Sequence, residues 1–164
     1  MKKTLSIALI IVSLVSVFCL TSCSGKVKKL QTIKIDNVEL ACGVEMSKVL
    51  EAFKDYEHEY SQSISCAYNG LDKIYDYKDA GFCIYTYPVE DKDFVLEVIV
   101  TSEKIKQADG KIYIGMTKDD VIALYGNEFT QDGDCITYTV KDEQTMYFML
   151  FEDKVVEYGI SIAQ

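Results

Sequence analysis

The stretch Ile114-Gly-Met-Thr-Lys-Asp-Asp-Val-Ile-Ala-Leu-Tyr-Gly126 reads as a complete short helix with both ends written in. Thr117 is a good N-cap, because its hydroxyl accepts an amide hydrogen bond that the first turn leaves open. Asp120, three residues on, stands where a capping-box acid belongs. With Asp119 it also puts negative charge at the positive end of the helix dipole. Val121, Leu124 and Tyr125 fall at i, i+3 and i+4 and make one apolar stripe. Gly126 suits the left-handed position that ends a helix.

A second version lies upstream. Gly43-Val-Glu-Met-Ser-Lys-Val-Leu-Glu-Ala-Phe53 aligns without a gap on Gly115 to Tyr125, 72 residues later, with Gly43 on Gly115, Val49 on Val121 and Phe53 on Tyr125. This copy has weaker caps, since Glu45 stands where Thr117 does. Its predicted helix runs Met46–Asp55, with Val49, Ala52, Phe53 and Tyr56 on one side. Strands are predicted after each helix: Ser63–Tyr68, Leu71–Tyr77, Phe82–Tyr87 and Phe94–Thr101 in the first half, then Cys135–Val140, Met146–Phe151 and Lys154–Ile160. Asn69-Gly70 is a hairpin-turn signal. Pro88 closes the third strand, where a missing amide does little harm. The expected fold class is α+β: tandem helix-plus-antiparallel-meander repeats forming one sheet of about seven strands, with helices on one face. Residues 32–106 make the first repeat and 107–164 the second, joined at Gln107-Ala-Asp-Gly110.

The Gly115–Gly126 motif followed by a meander resembles the superfamily of β-lactamase-inhibitor proteins and SmpA-type outer-membrane lipoproteins. The tandem form is similar to the inhibitor protein and a lipid anchor to SmpA. Ser65-Cys-Ala-Tyr-Asn-Gly-Leu-Asp-Lys-Ile-Tyr75 and Gly81-Phe-Cys-Ile-Tyr-Thr-Tyr-Pro88 also look like phrases of small uncharacterised lipoproteins of gut Clostridia. What these resemblances imply is a non-catalytic binding fold.

The first residues carry an address. Met1-Lys-Lys-Thr4 is basic, Leu5 to Leu20 is almost wholly apolar, and Leu20-Thr-Ser-Cys23 follows. That order is a secretory signal rather than part of the fold. The Leu-Thr-Ser-Cys ending resembles the lipobox of bacterial lipoproteins, which implies a signal peptide over 1–22 and lipidation of Cys23. The sixteen apolar residues are few beside the ~20 needed to span a bilayer. Residues 23–31 then form a tether whose Lys26, Lys28 and Lys29 suit an anionic membrane surface. The expected location is extracytoplasmic, anchored by lipid to the bacterial cell membrane.

The 164-residue chain is 49 % hydrophobic with one proline, which fits a packed globule. All 17 basic residues are lysines, so the planar fork of arginine is absent wherever the protein meets a carboxylate or phosphate. The net charge is −9; losing residues 1–22 removes two lysines and no acid, which takes it to −11. Nucleic acid is excluded as a partner, since it needs a basic footprint.

Chemistry is sparse. His58, between Glu57 and Glu59, cannot share one site with its helical neighbours and reads as a solvated side chain. There is no zinc spacing, no Gly-rich phosphate loop and no nucleophile set with defensible partners. Glu90-Asp-Lys-Asp93 and Asp132-Gly-Asp134 read as solvated acidic turns, not calcium loops. No metal or cofactor is expected. With Cys23 lipidated, Cys42, Cys66, Cys83 and Cys135 allow three complete pairings. Cys42 with Cys66, in one half, is the favoured disulfide, and four reduced thiols are the alternative.

Strand alternation divides the sheet residues. Phe82/Ile84, Phe94/Leu96/Val98/Val100, Ile136/Tyr138/Val140, Met146/Phe148/Leu150 and Val156/Tyr158/Ile160 are assigned to the helix-covered core. The opposite set holds Tyr85/Tyr87, Val95/Glu97/Ile99, Thr137/Thr139, Tyr147/Met149/Phe151 and Val155/Glu157, an aromatic set for a solvated face. Tyr85, Tyr87, Tyr147, Met149 and Phe151 are therefore the candidate binding residues for a protein or cell-envelope polymer. The alternative is that loops or sheet curl bury them. The competing functional classes are a structural envelope-assembly lipoprotein and an envelope enzyme or accessory subunit.

Overall fold

Runs rich in β-branched and aromatic residues, broken by short turns, dominate the chain; each half pairs its strands in sequence order, and the halves join where the last strand pairs with the one before the second helix. The computed structural model describes residues 27–141 and 143–162. The expected signal peptide, residues 1–22, and the expected lipidation site, Cys23, lie outside the described residues. Strands β1 (Ile33–Ile35) and β2 (Val38–Leu40) form a separate small hairpin. Helix α1 (Met46–Ala52) follows, then β3 (Glu59–Ile64), β4 (Leu71–Tyr77), β5 (Phe82–Val89) and β6 (Lys92–Val100). Helix α2 (Lys118–Tyr125) precedes β7 (Thr130–Asp132), β8 (Cys135–Lys141), β9 (Gln144–Phe151) and β10 (Lys154–Ile162). Strands β3 to β10 make one antiparallel sheet in the order β3-β4-β5-β6-β10-β9-β8-β7.

This corrects the expected fold class. The molecule is mostly β, with 50 % strand and 11 % helix, rather than an α+β tandem of helix-plus-meander repeats. The first helix stops at Ala52, three residues early, and three short strands carry no alternation that would announce them: β1, β2 and β7. The first strand after α1 also sits earlier than expected, at Glu59–Ile64, and residues 65–70 form a six-residue loop instead of a tight Asn-Gly turn. Within that loop the Ser65 hydroxyl accepts from the amides of Ala67 and Tyr68, which competes with strand pairing.

The core lies on one face of the sheet. Val49 and Phe53, in and just after α1, and Val121 and Tyr125 of α2 are buried with Ile33, Ile35 and Leu40 of the small hairpin. Phe53, Tyr77 and Phe82 form an aromatic knot, the latter two stacked at 4.4 Å. The Tyr138 hydroxyl donates to the Gly126 carbonyl at 2.9 Å, tying the end of α2 to β8.

The similarity between the two stretches has a concrete counterpart at their entrances. The Gly43 amide donates to the Val95 carbonyl at 2.7 Å and the Val95 amide returns to Val44 at 2.9 Å. Gly115 and Met116 make the same exchange with Val155, at 2.7 and 2.9 Å. Both glycines are left-handed, with φ of 79° and 95°, where a side chain would be strained.

Val95 and Val155 each lie at a break in register. The pairing of β5 with β6 slips between Tyr85 and Thr86, leaving Leu96 unpaired; that of β9 with β10 slips between Val155 and Glu157, leaving Val156 unpaired. Each bulge inverts the side chains beyond it. Val95 and Val155 are therefore in the core, fully buried, and Val156 is exposed, the reverse of strict alternation.

Candidate functional site

Beyond the bulges, the face of the sheet opposite the helices carries Tyr85, Glu97, Thr137, Tyr147, Met149 and Glu157. These line an open groove of about 490 Å³ across β5, β6, β10, β9 and β8. Its floor is made by a glycine. Gly159 pairs with Tyr147 across β10 and β9. A Cβ there would come within 2.5 Å of the Val98 carbonyl and 2.8 Å of the Tyr147 hydroxyl. With no side chain in the way, the Tyr147 ring lies over the backbone of β10, and only 9 % of the residue is exposed.

The Tyr147 hydroxyl is 3.3 Å from Glu157 Oε1, to which it donates, and Glu97 approaches it from β6. A phenol has one proton to give, so two carboxylates compete for it. Burial pushes the Glu97 carboxyl above its ordinary range; the Tyr147 hydrogen bond draws it back, and the charge of Glu157 pushes it up further. Tyr147 is itself held protonated well above the usual phenol range, by burial first and then by both carboxylates. No lysine lines the groove, so its charge is uncompensated from within.

The expected binding residues do not form one exposed patch. Tyr85 is half-buried on the groove wall. Tyr87 is also half-buried, in an aromatic cluster with Tyr68 and Phe94 at 5.1 and 5.9 Å. Tyr147 belongs to the floor. Met149 and Phe151 stand out, 37 % and 65 % exposed. Sequence reasoning placed Glu97 and Glu157 on this face but did not single them out. The signal that joins them to Tyr147 is Gly159, since an isolated glycine inside a strand marks a close approach.

Among the described residues the four cysteines, Cys42, Cys66, Cys83 and Cys135, are free thiols, and Cys42 is not bonded to Cys66. Cys42 is tucked against the Ile160 carbonyl at 3.6 Å, and burial pushes its thiol up to about 12. Cys66 is exposed in the loop between β3 and β4. Cys83 lies on the open face and is raised to about 12 by burial, then by Asp76 and Glu97. Such thiols are poor nucleophiles at neutral pH. Among the described residues no three His, Cys, Asp or Glu side chains converge on a metal-sized site, and no helix is long and apolar enough to cross a membrane. His58 is exposed and lies against the rings of Tyr75 and Tyr77, at 5.6 and 5.0 Å.

No protein-family model, curated protein or solved structure matches the chain.

Proposed function

We propose that this protein is a lipid-anchored extracytoplasmic binding protein, non-catalytic, that engages another protein or a cell-envelope polymer through the open face of its sheet. The observation that supports this most is the groove itself. It combines an apolar projection at Met149, an aromatic wall at Tyr85 and two carboxylates on a rigid floor, on the side the helices leave uncovered, and the exposed Phe151 follows Met149 along the same strand. Aromatic and sulfur-bearing side chains on a fixed sheet supply contact area at little entropic cost. The carboxylates favour ligands with amine or hydroxyl donors. The floor is preorganised, because Gly159 and the Tyr147–Glu157 bond fix it before anything binds. The Leu20-Thr-Ser-Cys23 ending supports the anchor, which would hold the acidic body away from an anionic membrane surface.

Two measurements on the full chain test the two parts. A clickable fatty-acid label should be incorporated, and Cys23→Ser should abolish it; label retained in Cys23→Ser removes the anchor reading. Retention on isolated cell-wall polymer or immobilised envelope proteins should fall by on the order of tenfold in Met149→Ser/Phe151→Ser, about 1.4 kcal/mol of contact energy. Unchanged retention in that variant, with its fold intact, would remove the groove from the binding account.

A further inference from the structure

β3 lies at one edge of the eight-stranded sheet, and every one of its six residues is exposed. Edge strands invite pairing with another chain, and natural proteins blunt them with lysine, proline, a bulge or short length. The far edge, β7, is only three residues long. β3 uses none of these devices. Its sequence is Glu-Tyr-Ser-Gln-Ser-Ile, and its register with β4 is unbroken from Glu59 opposite Asp76 to Ile64 opposite Leu71.

The direction of its free backbone groups follows from one bond. The Ser65 amide donates to the Gly70 carbonyl at 3.1 Å, and this pair continues the β3–β4 register. Bonded and non-bonded positions alternate along an antiparallel ladder. Glu59, Ser61 and Ser63 therefore turn their N–H and C=O towards β4, whereas Tyr60, Gln62 and Ile64 turn theirs outwards. The same three residues share one side-chain face. On it Tyr60 is 50 % exposed and Ile64 82 %, the most exposed large apolar side chain among the described residues.

We propose that β3 is a docking edge for a second copy of this chain, the two β3 strands pairing antiparallel about a twofold axis through Gln62. An axis through a residue matches outward positions to outward positions, whereas one between two residues sets outward against inward; among the former only the axis through Gln62 pairs all three outward residues of β3. In that register Tyr60 faces the second copy's Ile64, Gln62 faces its own counterpart, and Ile64 faces the second copy's Tyr60. About six hydrogen bonds close across the junction, two for each matched pair. Both exposed apolar side chains gain a cross-strand partner, and Ser61 opposes Ser63. Glu59, the only charge in β3, lies outside the matched core and is ion-paired to Lys78 at 2.6 Å. The interface is isologous, so it closes at two copies and does not propagate. It joins two open faces into one wider sheet surface. Each copy is strongly acidic, −9 over the full sequence and −11 without residues 1–22, so the pairing strengthens as salt screens the bodies from one another.

The test is a cysteine at the axis. Full-length chain bearing Gln62→Cys, with the exposed Cys66 replaced by serine, is expressed, and its membrane fraction is treated with a mild oxidant. Facing residues at a bonded antiparallel pair are about 5.5 Å apart, within reach of a disulfide. The expected result is a non-reduced band at twice the mass of the band the same sample gives after reduction. It should be at least fivefold stronger than from Gln131→Cys on β7 in the same background. Adding Tyr60→Lys/Ile64→Lys sets lysines opposite each other twice and should suppress the band at least fivefold, with the circular dichroism spectrum unchanged. A yield no higher than from Gln131→Cys, an adduct of another mass, or a band indifferent to the double lysine change in folded protein would each overturn the pairing.

Discussion

Glu97 is the residue at which the cost of the groove is concentrated. Its carboxyl is raised by burial and by Glu157, and only part of that rise is offset by Tyr147. A carboxyl raised in the folded state binds its proton more tightly there than in the unfolded chain. Its charge therefore opposes folding at neutral pH, and the penalty fades as pH falls through its folded range towards the ordinary value of 4.5. Glu97→Gln should accordingly raise the melting temperature at pH 7, with the gain shrinking to nothing at and below about pH 4. A constant gain at both pH values would mean that packing, not charge, sets the effect. The sequence showed Glu97 and Glu157 on the outer face, because both fall on the polar side of alternating strands. It did not show that they flank one hydroxyl, since that depends on Tyr147 lying over Gly159 across two strands.

At the scale of elements, the two helices differ in how their starts are held. Thr117 accepts from the Asp120 amide at 3.2 Å, and the Asp120 carboxylate accepts from the Thr117 amide at 3.0 Å, a full capping box. The Asp120 carboxyl is held below its usual range by those same Thr117 groups, hydroxyl first. Helix α1 has Glu45 at the N-cap and no side-chain cap bond. Thr117→Ala should cost about 1 kcal/mol in urea unfolding, and Glu45→Ala distinctly less; equal losses would show that the caps do not set helix stability here. Helix α2 was legible because its signals are local: cap, stripe and terminal glycine lie within ten residues. The bulges at Leu96 and Val156 were not, because what selects them is a distant partner, the Gly43-Val44 or Gly115-Met116 segment bonding Val95 or Val155. Strict alternation therefore assigned Phe94 and Leu96 to the core in place of Val95, and Val156 in place of Val155. Strand β4 was read with its true ends, whereas the loop of Ser65 to Gly70 was masked by the Asn69-Gly70 signal.

For the whole molecule, two short helices and the small β1–β2 hairpin among the described residues cover one side of an eight-stranded sheet, and none of these elements covers the other. The expected balance of helix and strand was wrong because local helix signals are loud and short strands such as β1, β2 and β7 are quiet. The expectation that the outer face carries Tyr85, Met149 and Phe151 follows from alternation alone and agrees with their positions. The most direct measurement of the face's role is site-specific photocrosslinking of the full chain in the cell envelope. A photoreactive amino acid is placed at Met149 in the groove or at Phe151 beside it on β9, and at Glu51 on the exposed side of α1 as the comparison. The account predicts discrete adducts from Met149 and Phe151 that are missing from Glu51. Adducts only from Glu51, or the same adducts from all three positions, would contradict the assignment of binding to the open face.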